Sequence, residues 1–112
     1  MGARHVFAAA VALALGCAAP ITVRSGGREH PTVFRVRADA RSVVLSGTMT
    51  GWRPRPLERH GNGFELALDL SPGRHEYRLE ILDGSGAHVV FSEGVERTAD
   101  GFGGENAVLR VR

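Results

Sequence analysis

Lysine is absent from the 112 residues, and cysteine, tryptophan and tyrosine occur once each. One cysteine forms no internal disulfide and supplies no thiol set of the kind that holds structural zinc. All 14 basic side chains are arginine, and against 12 acids they leave a net charge of +2. With Arg4 set aside, 13 arginines face 12 acids over the rest of the chain, a near-neutral balance without the clustered basic face that nucleic-acid binding needs. The length suits one small domain and excludes an enzyme with a separate cofactor domain. There is no His-x-x-x-His pair, no P-loop and no Ser-His-Asp set supported by spacing. The run Gly101-Phe102-Gly103-Gly104 precedes no helical pattern, so it is neither a phosphate loop nor a dinucleotide fingerprint. His60, His75 and His88 lie on different segments, so no metal site is expected. The carboxylates Glu65 and Asp69, and Glu76 and Glu80, read as solvated outer faces, with Arg74 and Arg78 expected to pair with them across strands, rather than as a glycosidase pair. No catalytic residue and no cofactor is expected.

Long apolar runs are also missing beyond the N-terminus. Residues 6–15 are uninterruptedly apolar behind Arg4 and His5. Ten helical residues span about 15 Å, half of a hydrocarbon core of roughly 30 Å, so residues 1–16 read as an export signal rather than a membrane span. Leu13-Ala14-Leu15-Gly16-Cys17 resembles a bacterial lipobox, in which Cys17 is lipidated and becomes the first residue of the mature chain. That implies a lipid-anchored protein of the bacterial cell envelope, on the periplasmic face or in the outer membrane. The alternative is an ordinary cut near Ala18-Ala19-Pro20 that discards Cys17. Residues 17–31 carry the breakers Ser25-Gly26-Gly27 and His30-Pro31 and read as a tether.

What is present afterwards is a strand pattern. Phe34, Val36 and Ala38 alternate with Arg35 and Arg37; Phe64, Leu66, Leu68 and Leu70 alternate with Glu65, Ala67 and Asp69. His75, Tyr77, Leu79 and Ile81 alternate with Arg74, Glu76, Arg78 and Glu80, and Ala107, Leu109 and Val111 repeat the pattern at the end. Val43-Val44-Leu45 reads as a strand buried on both sides, and residues 87–91 as a shorter strand. Turns are expected at Arg59-His60-Gly61-Asn62-Gly63, Ser71-Pro72-Gly73 and Asp83-Gly84-Ser85-Gly86. No helical stripe follows residue 20. The fold class is therefore all-β: an immunoglobulin-like antiparallel β-sandwich of about seven strands over residues 32–112. Residues 92–105 form a long polar, glycine-rich loop of the kind that often carries function.

The motifs then add a family. Val43-Val44-Leu45-Ser46-Gly47-Thr48-Met49-Thr50-Gly51-Trp52 is an apolar strand, a small-residue corner and a tryptophan. Pro56-Leu57, Gly63-Phe64-Glu65-Leu66 and the stretch from Leu70-Ser71-Pro72-Gly73 through His75-Glu76-Tyr77-Arg78-Leu79 follow, then Asp83-Gly84 and Gly104-Glu105-Asn106-Ala107-Val108-Leu109. In this order they resemble the glycogen-binding domain of AMP-activated protein kinase beta subunits, within carbohydrate-binding module family 48. The resemblance implies an early-set immunoglobulin-like fold with no catalysis of its own, docking α-1,4-glucan such as glycogen or a maltooligosaccharide. It implies two tryptophan platforms, a basic residue after the Pro-Gly turn and an asparagine opening the last strand. Trp52, Arg78 and Asn106 occupy three of these positions. Each has a plainer alternative: Trp52 as corner packing, Arg78 as an outer-face charge paired with Glu65 or Glu76, Asn106 as a loop tie. The second platform is missing, because Ser85-Gly86-Ala87-His88 follows Asp83-Gly84. His88 or Phe91 is a substitute by position, and Phe102 on the long loop is another aromatic surface. Two functions are implied: a glucan-binding module whose binding is weak or lost, or an envelope protein-interaction or structural module on the same fold.

Overall fold

The alternating segments form strands because one side of each is apolar, and two antiparallel sheets bury those sides against each other. The computed structural model describes residues 21–26 and 30–112; the signal, Cys17 and part of the tether lie outside the described residues. The strands are β1 Ile21–Arg24, β2 Thr32–Val36, β3 Ser42–Gly47, β4 Arg55–Pro56, β5 Glu58–His60, β6 Gly63–Leu68, β7 Gly73–Asp83, β8 Gly86–Val90, β9 Arg97–Ala99 and β10 Glu105–Val111. One sheet runs β1-β2-β6-β5, the other β4-β3-β7-β10-β9 with β8 also on β7. Strand β7 is long enough to serve three partners. Tyr77 to Leu82 pairs with β3, and the opposite edge is divided between β10, on Gly73 to Tyr77, and β8, on Leu79 to Asp83.

The first sheet contributes Phe34, Val36, Phe64 and Leu66 to the core; the second contributes Val43, Leu45, Tyr77, Leu79, Ile81 and Ala107. Phe34 meets Tyr77 edge to face, with ring centroids 5.3 Å apart at 70°.

Four expectations change. The strand count is ten among the described residues rather than about seven, because β1, β4, β5 and β9 are edge strands of two to four residues, too short to show a period. Residues 21–24, read as part of the tether, pair with β2 from Ile21↔Val36 to Arg24↔Val33, so ordered structure begins ahead of residue 32. The run Val43-Val44-Leu45 alternates: Val43 and Leu45 are buried, whereas Val44 is half-buried on the outer face beside Pro56. Finally, β6 and β7 lie in different sheets, so their charges do not pair across strands. Glu65 instead meets Arg35 on β2, and Arg74 meets Glu76 on its own strand at 2.6 Å.

The corner after β3 positions the site. Gly47 sits in extended backbone, so its φ demands no glycine; space does. A Cβ there would lie 2.6 Å from the Glu76 carbonyl oxygen and 2.8 Å from Tyr77 Cβ, both on the neighbouring strand. Gly47→Ala is expected to cost about 1–3 kcal/mol by overpacking, measured as a lower denaturant midpoint at unchanged slope.

Candidate glycan-binding site

After Gly47 the chain makes one 3₁₀ turn, Thr48–Thr50. The Thr50 hydroxyl accepts the Gly47 N–H and donates to the Gly47 carbonyl, each at 3.1 Å, which clamps the turn. Gly51 and Trp52 then both adopt left-handed backbone, at φ 64° and 62°. Trp52 is the one non-glycine residue with positive φ among the described residues. A bulky side chain there is strained by about 1–3 kcal/mol, and the surroundings must hold it. The Trp52 N–H donates to the Gly47 carbonyl at 2.8 Å, and the indole is left 40% exposed. Met49, not Trp52, packs against the core at this corner.

Strand pleat brings the other members to the same face. Arg78 lies opposite Ser46, and its guanidinium carbon stands 6.0 Å from the Trp52 ring centroid, at the outer limit of a cation–π contact. Glu76 lies opposite Val108, which makes Asn106, two residues earlier on β10, its diagonal neighbour. The Asn106 Nδ2 donates to Glu76 Oε1 at 3.2 Å. Arg78 faces Asp100 at 3.8 Å rather than Glu65 or Glu76.

Asp100 organises the loop opposite Trp52. Its Oδ1 accepts the N–H groups of Phe102, at 2.7 Å, and Gly104, at 3.0 Å. Gly101 and Gly103 take the positive φ values this tight loop requires, at 87° and 92°. Phe102 is left at the tip, 93% exposed. Ser46, Trp52, Glu76, Arg78, Asp100, Phe102 and Asn106 line one cleft of about 690 Å³.

The Phe102 and Gly104 N–H groups, with Arg78 adding attraction, hold the Asp100 carboxyl below its ordinary value. A depressed carboxylate contributes stability that is present above its unfolded pKa and is lost as pH falls through the folded one. The loop is therefore expected to loosen below the usual carboxylate range. The Phe102 and Gly104 amide resonances report it, and Asp100→Ala should show the loosened pattern already at neutral pH.

Three of the four expected binding residues, Trp52, Arg78 and Asn106, thus share the cleft, and His88 does not join them. His88 pairs with Ile81, one of the residues of β7 that point towards the core side, so the pleat turns it away from the Arg78 face. Its Nε2 lies 2.9 Å from Ser85 Oγ and 3.1 Å from Asp83 Oδ1, at the β7–β8 hairpin. Phe91 packs against the core under Arg97, whose guanidinium carbon is 4.1 Å from its ring. Sequence reading missed Glu76, Asp100 and Ser46 as site residues. For Glu76 and Ser46 the signal was available in the period of two, which places Glu76 beside Arg78; the Asp-Gly-Phe-Gly-Gly turn was the signal for Asp100.

A sequence profile described as the glycogen recognition site of AMP-activated protein kinase matches residues 30–112. The chain belongs to this family. The AMP-activated protein kinase subunit beta-1 of Sus scrofa is 37% identical over 65 residues, covering 58% of this chain and 52% of the relative. The Rattus norvegicus beta-1 subunit is 35% identical over 68 residues, 61% of this chain and 25% of that protein. The Mus musculus beta-2 subunit is 32% identical over 68 residues, 60% and 25% respectively. The chain spans about half or less of the length of these relatives. Family membership makes this a carbohydrate-binding module rather than a catalytic one, on the all-β fold described above.

Proposed function

We propose that the chain binds a neutral α-glucan, as glycogen or a maltooligosaccharide, in the cleft between Trp52 and Phe102. The observation that carries this reading is the convergence of Trp52, Arg78 and Asn106 from three separate segments on one cleft, with the exposed ring of Phe102 in the same lining. A sugar ring has an apolar C–H face and a rim of hydroxyls; an aromatic side chain buries the face, and a few fixed polar groups meet the rim. Here the two charges of each sign are matched, Arg74 with Glu76 and Arg78 near Asp100, so the cleft suits an uncharged polymer. The missing second indole lowers the expected affinity, and Phe102 supplies part of that surface from a different loop. Titration calorimetry of the protein with maltoheptaose, beside electrophoresis in gels with and without glycogen, tests this. Saturable heat and retardation support the reading; neither signal at millimolar oligosaccharide sinks it.

We also propose a location from residues 1–17: a lipid on Cys17 would hold the module at the bacterial cell envelope. Incorporation of labelled palmitate that disappears in Cys17→Ser is the expected result, and labelling that persists overturns it.

A further inference from the structure

The Trp52 cleft lies on the outer face of the second sheet; the outer face of the first sheet takes no part in it. Register decides what that other face carries. Phe34 and Val36 point into the core, so Arg35 between them points away, and Arg37, one residue past β2, is exposed. His60 pairs with Gly63, the residue before buried Phe64, and takes the same outer side. Arg35, Arg37, His60, Gly61, Asn62 and Gly63 border one cavity of about 340 Å³, within the usual range of small-ligand sites.

The charge of this cavity is not balanced. No acid lines it among the described residues. Glu65, beside it, takes Arg35, whose Nε donates to Oε2 at 2.8 Å, and its Oε1 lies 3.7 Å from His60 Nδ1. Arg37 is in no ion pair among the described residues. The Trp52 cleft differs, because its arginine, Arg78, faces Asp100. An unmatched guanidinium beside an imidazole and a side-chain amide suits an anion, and the planar guanidinium fits phosphate through two parallel N–H donors.

The path of the chain names the source of that phosphate. Ile21, which opens β1, pairs with Val36, and Val36 lines the cavity. Cys17 stands four residues ahead of Ile21, and a fully extended chain of that length reaches about 14 Å. A lipid on Cys17 therefore keeps this end of the first sheet close to the headgroups.

We propose that the Arg35–Arg37–His60 cavity takes the phosphate of an anionic phospholipid headgroup, seating the domain on the bilayer by its first sheet and turning the Trp52 cleft outward. The proposal rests on the lipid-anchor reading for its ligand and adds an orientation to it. The outer faces of the two sheets point in opposite directions across the core, so a domain seated by one presents the other to the solvent. One arginine at an anionic surface changes affinity by only about fivefold, so the lipid supplies the hold and the cavity the orientation.

The test places the full chain on nanodiscs of phosphatidylcholine, with or without phosphatidylglycerol, each carrying a nitroxide on some headgroups. On the phosphatidylglycerol discs the amide resonances of Gly61, Asn62 and Gly63 are expected to broaden and disappear, whereas those of Gly101 and Gly103, in the loop beside Trp52, stay sharp. Arg37→Glu should abolish that contrast and leave the melting temperature unchanged, because the side chain is exposed and unpaired among the described residues. Equal broadening of the two loops, or a contrast that survives Arg37→Glu, overturns the proposal. Inorganic phosphate added to the phosphatidylcholine discs separates the sources: if it shifts these amides while phosphatidylglycerol does not, the site is one for a free anion and the lipid assignment falls. The palmitate label judges Cys17 separately. Labelling that persists in Cys17→Ser removes the anchor, and a phosphatidylglycerol contrast seen then still supports the headgroup site. Labelling that depends on Cys17, with no contrast on the discs, sinks the headgroup site alone.

Discussion

Trp52→Ala is expected to weaken glucan binding by about thirtyfold or more, the effect of removing about 2 kcal/mol of aromatic contact. The magnitude follows from the position of the indole. It is the large flat surface of the cleft, 40% exposed, and Arg78 stands over it with the ring 6.0 Å away. The variant should still fold, because Met49 rather than Trp52 packs against the core at this corner. Titration calorimetry with maltoheptaose reads the first effect and thermal melting the second. A second substitution separates the side chain from its backbone. Trp52 holds φ at 62°, where glycine is unstrained and alanine is not. Trp52→Gly should therefore bind as poorly as Trp52→Ala and melt no lower. A variant that binds normally would remove Trp52 from the site; one that collapses would make it a structural residue.

Phe34→Ala carries the largest expected loss of stability, about 3–5 kcal/mol. Phe34 is 0% exposed, sits on β2, an inner strand of its sheet, and meets the Tyr77 ring edge to face at 5.3 Å. Truncation leaves a cavity that two sheets, each held by its own ladder of hydrogen bonds, cannot collapse to fill. A domain of about 90 residues has a total stability of roughly 5–13 kcal/mol, so this one change removes a large share. Denaturant unfolding checks it: the midpoint should fall steeply, and a shift below about 1 kcal/mol would mean that the core relaxes around the void.

The elements readable in the sequence are those whose one buried face repeats over several residues. Phe64 to Leu68 and Arg74 to Asp83 alternate because one side of each strand meets the opposite sheet. The elements not readable are those in which edge pairing, not burial, makes the strand. Arg97–Ala99 adds a row to a sheet edge through backbone hydrogen bonds, which any side chains permit; Ile21–Arg24 does pack Ile21 and Val23 against the core, but four residues are too few to show a period. The same limit misassigned the charges. The alternation of Glu65 and Arg78 places both on outer faces, but it does not say that those faces belong to different sheets. Glu65 consequently meets Arg35, and Arg78 lies near Asp100.

By itself the sequence determined the all-β class and the family, because those rest on composition, local periodicity and motif order. It also named Trp52, Arg78 and Asn106. Only the tertiary structure decided that they face one cleft, that His88 does not, and that Glu76, Asp100 and Phe102 belong beside them. The physical reason is the pleat together with register. Period two tells which side of its own strand a residue takes, whereas a shared site depends on which strands are neighbours and how they are aligned. That is set where the long strand β7 takes β3 on one edge and β10 with β8 on the other.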